Sequence, residues 1–176
     1  LLFIFLLVVG FYGNPNPLKN ITSIYIWVIW WVGMAFISAL IGNFWLLINP
    51  WTILFTFFVQ LIKQPKTCRP YPIYLDRWPS VLLLFIFAWM ELISEKAEDP
   101  QILSSLILIY SVITWTGMAI YGKATWLEKG EVFHAIFSLL ARFSPLLGNQ
   151  KSLYVRIPST GLIVNKPISF ADSCFV

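Results

Sequence analysis

Long apolar runs alternate with short polar breaks along this chain, and that pattern predicts helices that cross a membrane. A membrane-spanning helix needs about 20 mainly apolar residues, with a range of about 17–25. Residues 21–48, 78–93 and 101–121 meet or approach that length, and the breaks between them contain Pro, Gly, Asn or charges. Residues 1–12 are also apolar and are interpreted as the tail of a truncated span.

Two further segments depart from this pattern. Residues 51–62 are apolar but too short to span, which favours a half-helix, a re-entrant or an interfacial segment. Residues 131–147 alternate apolar and polar positions with helical period and predict an amphipathic helix. The predicted fold is therefore all-α: a multi-pass transmembrane helix bundle over residues 1–148. Residues 149–176 are expected to form a surface tail that leads to a missing span, since both ends look truncated.

Composition supports a membrane protein and excludes several other classes. The 176 residues are 59% hydrophobic and 11% charged, with a mean hydropathy of +0.77. Average soluble domains are about 45–50% apolar and about 25% charged, so a water-soluble enzyme or a disordered chain is excluded. The net charge of +4 is small and dispersed, which argues against nucleic acid as a partner. The expected partners are the lipid bilayer and, as an open alternative, other membrane subunits.

The distribution of charged residues predicts an orientation. Residues 63–77 contain four cations and one acid, whereas residues 91–99 contain one cation and four acids. Lys and Arg are enriched in cytoplasmic loops of membrane proteins. The loop 63–77 is therefore predicted to be cytoplasmic.

Glu91 is the first candidate for chemistry, because a charge within a predicted span is costly and is usually kept for a purpose. It lies towards the far end of the span 78–93. One interpretation is an interfacial carboxylate that reaches water. The other is a buried carboxylate that acts as a general base or a proton relay.

Glu131, His134, Ser138 and Arg142 form the second candidate, because offsets of 0, 3, 7 and 11 place them in one stripe of a helix. The stripe either faces water or a partner helix, or it lines a cavity in which Arg142 holds an anion. Glu131 and His134 also form a Glu-x-x-His pair, which occurs in di-metal bundle sites. That use needs further ligands, and His134 is the only histidine. A metal and a cofactor are left undetermined.

Aromatic and proline motifs carry a family resemblance. In order along the chain they are Asn14-Pro15-Asn16-Pro17-Leu18-x-Asn20, Trp27-Val28-Ile29-Trp30-Trp31-Val32-Gly33, Gly42-Asn43-x-Trp45, Asn49-Pro50-Trp51, Tyr71-Pro72-x-x-Leu75-x-x-Trp78-Pro79, Phe87-Ala88-Trp89-x-Glu91-Leu92, Trp126-Leu127-x-x-Gly130-Glu131-x-Phe133 and Leu140-Ala141-Arg142-Phe143-Ser144-Pro145. The set resembles the fenitrothion hydrolase-like family of polytopic prokaryotic membrane proteins. The resemblance implies a longer protein in a prokaryotic cell membrane and implies hydrolysis of organophosphorus or other lipophilic esters. It supplies no established catalytic residues.

Three functions remain open at this stage. A membrane hydrolase would use Glu91 and Glu131, with the single His134, as acid/base groups and Arg142 as an anion holder. A transporter or channel segment is favoured by the interruption after residue 48, because broken helices often build binding sites. A non-catalytic subunit of a membrane complex would use the aromatic and small residues only for packing.

Overall fold

Helices account for nearly all of the structure. The computed structural model describes residues 1–62, 69–149, 152–155 and 157–159. The principal elements, in chain order, are α1 (Leu2–Tyr12), α2 (Ile21–Leu40), α3 (Trp45–Ile48), α4 (Pro50–Ile62), α5 (Trp78–Leu92), α6 (Pro100–Tyr121), α7 (Lys123–Lys129), α8 (Val132–Leu140), β1 (Leu146–Asn149) and β2 (Ser152–Val155). Short 3-10 turns occupy Pro17–Lys19 and Ile73–Leu75, and Tyr25–Val32 within α2 is π-helical. The predicted all-α fold is confirmed.

Three of these helices are long and apolar enough to cross a membrane. Within the described residues they are Ile21–Leu40, Ile73–Leu92 (which includes the short turn before α5) and Pro100–Tyr121. At most a third of each is buried inside the bundle, so most of their apolar side chains face outward. Such surfaces are stable against lipid and costly in water. The fold is that of a membrane protein.

Local signals explain where the long helices begin. Asp99 caps α6, its carboxylate accepting hydrogen bonds from the backbone N–H groups of Gln101 and Ile102 at 2.9 and 3.2 Å. Pro100 follows at the first helical position, where its missing N–H costs nothing. Asn20 caps α2 in the same way through Thr22. The bounds of α5 and α6 therefore agree with the predicted spans 78–93 and 101–121 to within one residue.

The predicted span 21–48 is interrupted in the structure. Helix α2 ends at Leu40, and Gly42 adopts φ +133°, a conformation that side-chain-bearing residues rarely take. A separate single turn, α3, follows, and Asn49 leaves the helical conformation (ψ 109°) before Pro50, as the residue before proline prefers. The predicted short segment 51–62 is observed as α4.

The predicted amphipathic helix 131–147 is shorter in the structure. Helix α8 ends at Leu140, and Pro145 is followed by β1, which pairs antiparallel with β2 from Leu146↔Val155 to Asn149↔Ser152. Proline cannot continue a helix, because it lacks the N–H and clashes with the preceding turn. The predicted tail 149–176 thus begins inside this hairpin, and residues 160–176 lie outside the described residues, as do 63–68 of the basic loop.

Half-length helices stack end to end along α6. Near the Pro100 end of α6, Gly10 of α1 is so close to Ser104 that a Cβ would lie 1.8 Å from its hydroxyl. Near the Tyr121 end, Lys123 Nζ donates to Thr56 Oγ1 of α4 at 3.2 Å. The two helices meet halfway, where the rings of Phe3 and Trp51 are 5.6 Å apart.

Candidate functional site

A helical hairpin made of α7 and α8 enters the bundle from the Tyr121 end and places Glu131 at its tip. Helix α7 folds back along α6, because Gly117 lets the Trp126 ring pack directly on the α6 backbone. The chain then turns at Gly130, and α8 returns towards the same end, where Asn43 Nδ2 donates to Ser138 Oγ at 2.7 Å. The tip of this hairpin lies deep in the bundle.

The depth of the tip follows from its partner on α6. Glu131 Oε1 accepts a 2.5 Å hydrogen bond from the hydroxyl of Tyr110. Tyr110 is the eleventh of the 22 residues of α6, so its backbone lies about 15 Å from the start of that helix at about 1.5 Å per residue. The hydrocarbon core of a bilayer is about 30 Å thick. The Glu131 carboxylate therefore lies level with the mid-length of α6, a helix long enough to cross such a core.

Four donors from the protein saturate this carboxylate. Oε1 accepts from Tyr110 and from the backbone N–H of Phe133 at 3.3 Å. Oε2 accepts from Trp45 Nε1 at 3.3 Å and from the backbone N–H of His134 at 2.6 Å. The backbone donors are those of the first turn of α8, so Glu131 is the N-cap of the helix and faces its positive end.

Burial and hydrogen bonding act on Glu131 in opposite directions. The residue is 0% exposed, and burial disfavours the charged form of its carboxyl because that form loses hydration. The hydrogen bonds from Tyr110, Trp45 and the α8 backbone favour the charged form. A carboxylate at this depth is tolerated only because each oxygen has two donors.

Aromatic rings surround the carboxylate on the hairpin side and on α2–α4. The Phe133 ring is 4.6 Å from Trp30 and 5.3 Å from Tyr110. Trp45 is 5.4 Å from Phe137 and 5.8 Å from Trp51. Trp51 in turn donates from Nε1 to Ser111 Oγ at 2.7 Å, which fixes α4 to α6. Three of these four ring pairs are edge-to-face and the Trp45–Trp51 pair is tilted, arrangements that favour defined ring orientations.

Beside this cluster lies an apolar cavity of about 580 Å³. Its walls come from α1, α2, α3, α4, α5, α6 and the start of α8, and Trp45, Tyr110 and Phe133 belong to them. None of its described lining residues is charged. Sites for small molecules commonly enclose about 300–1,000 Å³ and are mostly apolar with a few polar groups. The cavity fits that description, with the Tyr110 side chain at its edge.

Glu91 occupies a different place. It is in the last turn of α5, is half-buried, and accepts a 2.8 Å hydrogen bond from Trp31 Nε1. The ring of Trp31, from α2, also lies 4.7 Å from the ring of Phe87, which is on α5 with Glu91. Glu91 is not among the described residues that line the cavity. Glu91 and Glu131, the two predicted acid/base carboxylates, share none of their described hydrogen-bond donors.

Two positions of the predicted polar stripe, Glu131 and Ser138, have described hydrogen bonds to neighbouring segments. Glu131 is fully buried and its carboxylate accepts from Tyr110 of α6, so at this position the stripe faces a partner helix and not water. Ser138 accepts from Asn43, a contact with a neighbouring segment. Arg142 lies just beyond the end of α8, at the level of the following turn.

His134 is partly buried, and its side chain does not bind the carboxylate. Burial lowers the pKa of the imidazole, and the nearby Arg77 cation lowers it further, against a smaller opposing effect of Glu128. Only its backbone N–H reaches Glu131. Within the described residues no group of three His, Cys, Asp or Glu side chains is arranged to hold a metal ion.

Sequence reasoning missed Tyr110 and Trp45, the two side chains that donate to Glu131. Trp45 belongs to the motif Gly42-Asn43-x-Trp45, which is a weak signal. Tyr110 has no local signal, because it is one aromatic residue in an apolar helix and its partner is 21 positions away.

We compared the chain with known proteins: no family model matches it, and neither a curated protein nor a solved structure is significantly similar to it. The fold and the site define a helical membrane protein with a buried carboxylate beside an apolar cavity.

Proposed function

We propose that this protein binds a neutral, lipophilic small molecule in the cavity beside Tyr110 and Glu131. The cavity itself supports this proposal: about 580 Å³ of space, lined by apolar and aromatic side chains and by no charged side chain among the described residues. A charged ligand would lose its hydration there without gaining a partner of opposite charge. A neutral apolar ligand gains free energy from every contact.

The Glu131 network gives the cavity a fixed wall. Tyr110 and Trp45 line the cavity and also donate to the carboxylate, so their rings cannot rotate freely. A wall that is already ordered lowers the entropy that binding must overcome. Glu131 is a positioning residue in this proposal, since its carboxylate is enclosed by its four donors.

Photolabelling tests the proposal. The probe is hexadecanol that carries a mid-chain diazirine and a terminal alkyne, added to the purified protein in phosphatidylcholine vesicles. Peptides from α6 and α8 should be labelled, and excess unlabelled hexadecanol should suppress that labelling, because a cavity saturates and a lipid-facing surface does not.

A matched pair of variants distinguishes the cavity from the outer surface. Ile107→Trp fills space in the cavity, whereas Leu108→Trp adds the same ring at the next position, which is 42% exposed and is not among the cavity-lining residues. Saturable labelling should fall in the first variant and persist in the second. Labelling that never saturates in the wild-type protein would refute the proposal.

Ester hydrolysis, which the family resemblance implies, is a narrower form of the same proposal. It is favoured by one observation: a phenol hydrogen-bonded to a buried carboxylate lies at the edge of an apolar cavity. Turnover of a dialkyl p-nitrophenyl phosphate by the wild-type protein should then be lost in Tyr110→Phe. It should persist in Glu91→Gln, where the changed carboxylate is away from the cavity lining. Equal loss in both variants, or no turnover in the wild type, contradicts it.

Transport is a second candidate, supported by the meeting of half-length helices α1 and α4 halfway along α6. Interrupted helices at the midplane are typical of transporter binding sites. Flux of the hexadecanol probe between vesicle leaflets, faster with protein than without it, would favour transport over static binding.

We also propose the orientation of the chain in a prokaryotic cell membrane, with residues 63–77 in the cytoplasm. In support, cationic residues lie near the Tyr121 end of the bundle. The backbone N–H of Arg69 donates to Ile120 O, and Lys129 Nζ lies 5.1 Å from the centre of the Tyr71 ring. Cys68 should react with an impermeant maleimide only after cells are opened. Reaction in intact cells would reverse the orientation.

A further inference from the structure

Helices α5 and α6 follow one another in the chain but leave a gap between them. The gap has a volume of about 310 Å³ and is lined by Phe85, Ile86, Trp89 and Met90 of α5 and Leu106 of α6. Helix α5 instead packs against α8, where the rings of Phe87 and Phe133 are 5.3 Å apart.

The gap adjoins the large cavity. Ile86, Met90 and Leu106 line both of them, so the same three side chains form the boundary between the gap and the cavity. Both helices belong to segments long enough to cross a membrane. A space that opens between two such helices faces the hydrocarbon of the bilayer.

We infer that the gap between α5 and α6 is a lateral entrance through which a single hydrocarbon chain passes from the bilayer into the cavity. This inference rests on the proposed function and names its ligand class: neutral molecules with a linear alkyl chain, dissolved in the membrane. A route from water would have to carry that chain past the charged ends of the bundle.

The exposed side chains of the gap support this ligand class. Phe85 is 65% exposed, Trp89 60% and Ile86 49%, and none of the five lining residues is charged. Apolar side chains that stay exposed along one side of a gap, with an apolar side chain on the other, favour an apolar occupant. A hydrocarbon chain is the one such occupant that a bilayer supplies at high concentration.

A reversible cross-link across the gap tests the inference. Ile86→Cys and Leu106→Cys are combined in a protein whose Cys68 and Cys174 are replaced by serine. A bis-methanethiosulfonate reagent then joins the two helices and is cleaved by dithiothreitol. The matched control combines Leu108→Cys and Val112→Cys, which are four positions apart on α6 and are not among the residues that line the gap or the cavity.

The hexadecanol photoprobe reports the effect. Cross-linking before the probe is added should abolish saturable labelling of the cavity, and dithiothreitol should restore it. Cross-linking after loading should retain the label during washing with empty vesicles. The control pair should label normally in all three conditions.

The outcomes separate the two proposals. If the wild-type protein, with Ile86 and Leu106 in place, shows no saturable labelling while it elutes as a single folded species in gel filtration, the cavity does not bind the probe and the proposed function fails. If labelling saturates but the cross-link leaves it unchanged, the cavity binds the probe by another route and only the entrance is overturned. If the thiols do not react with a lipid-soluble maleimide in the membrane, the gap is covered by protein and the entrance is likewise overturned.

Discussion

Replacing Glu131 with glutamine should destabilise the protein more than any other carboxylate-to-amide change in the described residues. The carboxylate accepts from two donors at each oxygen. Glutamine keeps one oxygen and presents an NH₂ group to the other two donors, which are then buried without an acceptor. Each buried donor left unsatisfied costs about 1–3 kcal/mol, so the change should cost about 2–6 kcal/mol.

Glu91→Gln is the matched control, because it is the same chemical change at a half-buried site. Glu91 Oε1 accepts one described hydrogen bond, from Trp31 Nε1, and the oxygen of glutamine can accept that bond equally well. Its expected cost is below about 1 kcal/mol, the worth of a single ordinary hydrogen bond. Both variants make the same change in charge, size and residue type. They differ in the number of hydrogen-bond donors that are left without an acceptor.

Thermal unfolding in a mild detergent measures the difference, with the summed fluorescence of the nine tryptophans as the signal for loss of the folded state. For a chain of 150–250 residues, 1 kcal/mol corresponds to about 2–4 °C in Tm, so Glu131→Gln should lower Tm by at least about 4 °C. Equal Tm values for the two variants would refute the reasoning. That result would mean that the four-donor network does not stabilise the folded state.

The close approach of Trp126 to Gly117 should make Gly117→Ala destabilising by about 1–3 kcal/mol, because a Cβ would lie 2.2 Å from the indole ring. Gly33→Ala, whose nearest such neighbour is 3.8 Å away, should leave Tm unchanged or raise it, and equal losses would contradict the packing argument. Asp99→Ala should cost about 1 kcal/mol through loss of the α6 cap, measured by urea or SDS unfolding. Glu98→Ala removes an exposed neighbouring carboxylate and should have almost no effect; a cost equal to that of Asp99→Ala would show that the cap is not the cause.

The ends of the long helices were predictable because their signals are local. Asp99 followed by Pro100 marks the start of α6 in the sequence, and the structure shows both the cap and the proline at the first position. The interruption of 21–48 was not predictable in the same way. An uncharged apolar sequence looks the same whether its helix continues or is interrupted. The turn at Gly42 depends on a backbone conformation that glycine permits but does not require.

The candidate site shows the same division. The spacing predicted Glu131 and His134 on one helix; in the structure Glu131 is the N-cap residue that precedes α8, and His134 lies in the first turn of α8. The side to which the carboxylate points depends on where the hairpin enters the bundle. That was decided by Gly117, Trp126 and the partners Tyr110 and Trp45, which are far apart in the chain.

By itself, the sequence determined the class of this protein, because the solvent that a helix can tolerate follows from composition and run length alone. It also determined the bounds of α5 and α6, since caps and prolines act on their immediate neighbours. The tertiary structure alone decided that Glu131 is buried beside the middle of α6 and that α5 and α6 leave a gap between them. Both features arise from contacts between distant segments, and such contacts leave no periodic trace in the sequence.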